Sequence, residues 1–129
     1  MALSKAATSP ANQQLAANKQ VVEHLARAWN EHDYAAMGAA LDENAVVFNP
    51  VVPDMYDAKS YVDLAKYVNM IVPTYQVTNE DMIAEGDRVV TRQTYAGKMG
   101  STPFDYTGVL MLQLKDGKIA LKDSYLKAD

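Results

Sequence analysis

Between Phe104 and Lys127 the chain reads FDYTGVLMLQLKDGKIALKDSYLK. Apolar and polar residues alternate on both sides of Asp116-Gly117. That dipeptide accepts the left-handed backbone of a two-residue hairpin turn, so the stretch predicts two long antiparallel strands. The same period of two runs upstream. RVVTRQTYAGKMG (88–100) leads into a loop at Gly100 to Pro103, and TYQVTNEDMIAE (74–85) leads into a turn at Gly86-Asp87. Residues after Pro73 therefore form a meander of antiparallel strands.

Before Pro73 the period is helical. Val21, Val22, Leu25, Ala28 and Trp29 share one face of a helix over about 14–30. Asp33 caps a short second helix through Met37, Ala40 and Leu41, and Asp57 caps a third with Tyr61, Leu64, Ala65 and Val68 as its stripe. Pro73 forces Val72 out of helical geometry and ends it. Between these helices NAVVFNP (44–50) reads as a short strand stopped at Pro50. Helices first and a strand meander second predict an α+β fold, its helices packed on one face of a curved sheet. Residues 1–16 read as a flexible lead-in and 17–129 as a single domain.

Composition narrows the function. The 129 residues are 49% hydrophobic and 22% charged, with a net charge of -4 and no basic stripe. Nucleic acid needs clustered Lys and Arg and is not an expected partner. No cysteine is present, which removes disulfides and thiolate chemistry. No apolar run reaches membrane-spanning length, and the N-terminus lacks the core of a signal peptide, so a cytoplasmic protein without membrane contact is expected. Eight Tyr stand against two Phe, with seven Met. That bias suits an apolar cavity with hydroxyl handles, although a core that uses Tyr and Met has the same composition. No His/Asp/Glu group has metal-ligand spacing, and the Gly-Asp and Asp-Gly turns are not phosphate loops.

Three stretches, NKQVVEHLARAWNEHDYAAMGAALDENAVV, MIAEGDRVVTRQTYAGKMG and LQLKDGKIALKDSYL, resemble in order and spacing the opening helices, Gly-Asp hairpin and closing hairpin of the SnoaL-like polyketide cyclases. These belong to the nuclear-transport-factor-2-like superfamily. The resemblance implies a cone-shaped barrel, in which a curved antiparallel sheet wraps around N-terminal helices and encloses a pocket. It also implies a homodimer across the sheet, which would cover the outward Val90, Thr94, Val109 and Met111. Activities on this scaffold vary, so function rests on the site.

Placed against the resembling branches, the acid–base positions are largely neutral here. The aspartate that precedes a proline in the steroid-isomerase branch falls on Asn49, which cannot take a proton, and that branch's tyrosine and acid fall on Leu25 and Leu110. The charged set of the epoxide-hydrolase branch falls on Gln93, Tyr95 and Ser124. The cyclases' His and Asp fall on Lys122 and Ser124, with Asp123 between them. Alternation turns Asp123 outward; a β-bulge would bring it in as an acid. A lysine in a closing strand ordinarily extends its tip to solvent, whereas an inward, desolvated Lys122 loses proton affinity and becomes a base or nucleophile.

The inward faces are expected to carry Val89, Thr91, Gln93 and Tyr95, then Phe104, Tyr106, Gly108 and Leu110, then Ala120, Lys122 and Ser124. The catalytic candidates are Asp123, Lys122, Tyr95 and Tyr106. Trp29 and Tyr67 are candidates for an aromatic wall, and Asn49, Gln93 and Ser124 for neutral ligand contacts. The expected partner is a small apolar molecule, with no cofactor and no metal. Two readings follow: a cofactor-free cyclase, isomerase or lyase acting on a carbonyl-bearing polyketide-like or terpenoid compound, or a non-catalytic binding or dimeric interaction protein on the same scaffold.

Overall fold

The computed structural model of the protein describes residues 9–48 and 57–127. The elements run α1 (Pro10–Glu31), α2 (Tyr34–Ala39), β1 (Leu41–Phe48), α3 (Ala58–Ile71), β2 (Gln76–Glu85), β3 (Arg88–Met99), β4 (Thr102–Lys115) and β5 (Lys118–Leu126). Helix α1 begins at Pro10, earlier than its apolar stripe predicts. Ser9 is the reason: its hydroxyl accepts the Asn12 amide at 3.1 Å, and Pro10 is pre-set for the first helical position. At the other end His32 adopts a left-handed conformation at φ 56°, closing the helix at the surface. The caps of the next two helices are the expected ones, Asp33 accepting from the Ala36 amide and Asp57 from that of Ser60.

The sheet order is β1-β5-β4-β3-β2. Strands β2 to β5 are antiparallel neighbours, but β1 lies parallel to β5, a departure from a purely antiparallel sheet. The reason is connectivity. The chain passes through α3 and three further strands before returning beside β1, so no hairpin dictates the pairing direction. The Asp116-Gly117 turn has positive φ at both residues, 51° and 79°, as its sequence requires.

Two of the three register shifts in the sheet decide which side chains of β2 and β5 face the core. One between Asn79 and Asp81 lets both Val77 and Met82 point inward on β2. The other leaves Ala120 without a partner, because Gln113 pairs with Leu121 while Leu114 pairs with Ile119. Ile119 therefore takes the inward place expected of Ala120, while Lys122 and Ser124 keep theirs. Helix α1 is fastened to the sheet by Asn30, whose amide donates to the Val77 carbonyl at 2.8 Å and accepts the Val77 N–H at 2.7 Å. Val22, Leu25, Met37, Val89, Leu112 and Ile119 lie in the core beneath the helices. Burying each such side chain is worth roughly 1.5–3 kcal/mol.

Candidate functional site

The inner face of the sheet and the facing sides of α1 and α3 enclose a cavity of about 160 Å³. Its apolar walls come from α1 (Val22, Leu25, Trp29), α3 (Leu64, Val68) and β4 (Leu110, Leu112). Its polar atoms come from four tyrosines, Gln93, Lys122 and Ser124. Among the described residues the lining holds no aspartate, glutamate or histidine.

The aromatic rings form one connected set. Trp29 meets the ring of Tyr61 edge-on at 5.9 Å and that of Tyr75 at 5.6 Å. Tyr75 continues to Tyr95 at 6.2 Å, and Tyr95 to Tyr106 at 4.9 Å. Gly108 makes room for this stack: a Cβ there would stand 3.1 Å from the Tyr95 ring and 2.8 Å from Leu126.

Hydroxyl bookkeeping shows what the cavity offers a ligand. Trp29 Nε1 donates to the Tyr61 hydroxyl, whose own proton meets no acceptor among the described residues. The hydroxyls of Tyr75 and Tyr106 are 3.0 Å apart and share one proton between them, leaving the other free to donate. Tyr95 differs: its proton goes to Gln93 Oε1 at 2.7 Å. Gln93 in turn donates to Asn79 Oδ1, which also accepts from Thr91 Oγ1, both at 2.8 Å. Gln93 thus orients Tyr95, in place of the free ligand clamp that sequence suggests. Burial pushes the phenols of Tyr61, Tyr75 and Tyr95 well above their usual range, so they stay protonated donors.

Lys122 is the departure from ordinary lysine behaviour. It is 6% exposed and points inward from β5. Its Nζ donates to Ser124 Oγ at 3.0 Å and lies 5.1 Å from the centre of the Tyr61 ring. Burial pushes its ammonium down to about 8, with Asp123 pulling partly the other way.

The remaining sequence candidates divide plainly. Trp29, Gln93, Tyr95, Tyr106, Lys122 and Ser124 come together around the cavity. Asp123 does not: the bulge that could have turned it inward falls earlier, at Ala120, and its carboxylate accepts from Tyr125 on the outer face at 2.9 Å. Tyr67 is 57% exposed, because six residues along α3 from Tyr61 is about 240° around the helix axis. Asn49 lies outside the described residues. Tyr61 and Tyr75 are functional candidates that the sequence reading passed over. Tyr61 is a member of the α3 apolar stripe, and Tyr75 continues the inward alternation of Val77 and Asn79, so both carried a legible signal.

The SnoaL-like domain family matches residues 22–122. The chain belongs to that family. Solved structures agree on the fold. A candidate polyketide cyclase from Bacillus cereus superposes with a TM-score of 0.81 at 18% identity, over 90% of this chain and 78% of its own. An epoxide hydrolase of the LEH-like type from M. tuberculosis gives 0.78 at 21%, over 88% and 85%. IdmH, a candidate polyketide cyclase from Streptomyces antibioticus, gives 0.74 at 19%, over 85% and 91%. Identities this low carry the fold and not the activity. No curated protein matches the sequence. The family match and these neighbours establish a SnoaL-like α+β scaffold.

Proposed function

We propose that this SnoaL-like chain binds a small, largely apolar carbonyl compound, of polyketide-like or terpenoid character, and acts on it as a cyclase or isomerase with its own side chains. One observation carries the reading. The cavity presents unspent hydroxyl protons from Tyr61 and the Tyr75–Tyr106 pair beside an inward amine, with no carboxylate among its described lining. Such a lining suits an acceptor oxygen in an otherwise apolar molecule, since its free groups are donors and a ligand cation would find no carboxylate among the described lining. Size restricts the ligand further. About 160 Å³ is close to the roughly 150 Å³ cavity that holds benzene, so a one-ring compound fits better than a fused polycycle.

In this reading the tyrosine hydroxyls hold the carbonyl oxygen and stabilise the enolate that develops on it. Lys122, with proton affinity lowered to about 8, is neutral often enough near pH 7 to take the α-proton and return it elsewhere. Tyr95 and Trp29 form the wall against which the ring lies.

The test is a thermal-shift screen of monocyclic ketones, enones and aldehydes, with absorbance followed in the same wells. A compound at about a hundred times its Kd should raise stability by roughly 2.7 kcal/mol. A shift with spectral conversion that Lys122→Met abolishes is the expected result. A shift without conversion would overturn the catalytic reading in favour of a binding protein, a reading that the committed hydrogen bonds of Gln93 and Ser124 support. For assembly we propose a homodimer through the outer sheet face, where Val90 and Val109 stand exposed; sedimentation as a monomer at micromolar concentration would sink that part alone.

A further inference from the structure

We propose that Lys122 captures small aldehydes covalently, its amine condensing with the carbonyl carbon to an imine while Ser124 relays the proton. The inference rests on the cavity reading above and gives the same site a second chemistry.

Geometry carries it. Among the described residues two exposed cations have a carboxylate partner close by, Lys59 with Asp63 at 3.0 Å and Arg92 with Asp81 at 2.6 Å, and water solvates the other exposed cations. Lys122 has no such carboxylate inside: its hydrogen-bond partner is a neutral hydroxyl, and Asp123 is turned to the opposite face toward Tyr125. Held as an ion, the ammonium has one hydrogen-bond acceptor among the described residues, Ser124 Oγ, and only the face of the Tyr61 ring to support its remaining N–H groups. A neutral amine has fewer protons to place and directs a lone pair into the cavity. The Tyr61 ring 5.1 Å away and its unspent hydroxyl proton complete a site that can hold an aldehyde oxygen next to that nitrogen. The lowered proton affinity of Lys122 is the electrostatic face of the same arrangement. The titratable groups that share the cavity are the Tyr61, Tyr75, Tyr95 and Tyr106 phenols, and the Asp123 carboxylate lies beyond the sheet.

The step balances without a co-reactant. The Nζ lone pair forms a bond to the carbonyl carbon, and the C=O π pair moves to oxygen. Ser124 gives that oxygen a proton and takes one from the nitrogen, which yields the carbinolamine. The C–O bond then breaks as nitrogen forms the C=N bond. Both nitrogen protons leave with the oxygen as one water.

Benzaldehyde is the probe, because it matches the cavity in size and has no α-hydrogen, so proton abstraction cannot substitute for attack at carbon. Full-length protein is incubated with benzaldehyde at pH 7 and the imine is reduced with cyanoborohydride. Peptide mass spectrometry then locates the added benzyl group. With a proton affinity near 8, Lys122 holds on the order of a hundredfold more neutral amine at that pH than an exposed lysine. The expected result is benzylation at Lys122 at least about tenfold above any of the other eight lysines, lost in Lys122→Met and slowed in Ser124→Ala. Labelling spread evenly over the surface lysines, or unchanged in total by Lys122→Met, would overturn the inference. A melting temperature raised by benzaldehyde in both wild type and Lys122→Met, with no adduct at Lys122, would overturn covalent capture while leaving the carbonyl-binding cavity standing. An equal capture rate in Ser124→Ala would remove the relay from the proposal.

Discussion

On β5 two pairs of polar side chains sit back to back. Lys122 and Ser124 face the cavity at 3.0 Å from each other; Asp123 and Tyr125, one residue on from each, face outward at 2.9 Å. The hydrogen bonds are nearly equal in length, yet their consequences differ. The outer pair sits where solvent screens it, Tyr125 being 61% exposed, and its bond merely raises the phenol's affinity for its proton. The inner pair has lost its water, and the cost of the charge appears as a lysine that gives up its proton near pH 8. Burial, more than the identity of the partner, makes a reactive group here. The same contrast recurs on α3 between Tyr61, buried and ringed by Trp29 and Lys122, and Tyr67, exposed on the far side.

The largest effect is expected on α3. Tyr61→Ala removes a buried aromatic ring and strands the Trp29 indole N–H, and should cost about 3–5 kcal/mol in urea unfolding. Tyr67→Ala should change stability by less than about 0.5 kcal/mol. Equal losses would mean that α3 presents a different face to the cavity.

Burial of Lys122 makes stability depend on pH. Its folded-state value of about 8 lies below the ordinary 10.5, so between those values the unfolded chain binds the extra proton. Stability contributed by this residue therefore rises with pH from about 8 to about 10.5, and the burial cost is fully present below 8. The whole span is on the order of 3 kcal/mol. The three buried tyrosines act in the opposite sense only above pH 10, where the unfolded chain begins to ionise its phenols. Denaturation from pH 7 to 10 should show wild type gaining on Lys122→Met across that interval. Parallel curves would place the charge of Lys122 in water.

A smaller effect is expected at the floor of the aromatic stack. Gly108→Ala puts a methyl 3.1 Å from the Tyr95 ring and the Tyr125 carbonyl, and should cost about 1–3 kcal/mol while weakening ligand-induced thermal shifts. Smallest of all is Tyr125→Phe on the outer face, with a change under about 0.5 kcal/mol and no influence on turnover. A measurable loss of activity there would show that the two faces of β5 are coupled.

Most of the fold is legible from local chemistry. The Asp116-Gly117 turn, the capping aspartates Asp33 and Asp57, and the alternation from Val89 to Tyr95 each report a backbone preference within a few residues. The inward set on β3 and β4 follows from that alternation, as do Lys122 and Ser124 on β5. On β5 the departure from that alternation has a non-local cause. The bulge at Ala120 depends on how β5 registers against β4, so the residue that changes places is Ile119, while Asp123 stays outside. On α3 the cavity wall is Tyr61, a member of the helical stripe, and not the exposed Tyr67. Tyr75 precedes β2 and continues its inward alternation, so its face was legible, but only the tertiary structure brings it beside Trp29.

By itself the sequence determined the element order, the turns, the caps and the parity of most strands, since these are properties of short segments and their backbone energetics. It also placed neutral residues, Gln93 and Ser124, at positions where the resemblance to the epoxide-hydrolase branch implies charged ones. Only the tertiary structure decided the pairing of β1 with β5, the committed state of each tyrosine hydroxyl, and the burial of Lys122. Those depend on which atoms from distant segments displace water from one another, a quantity that no window of neighbouring residues contains.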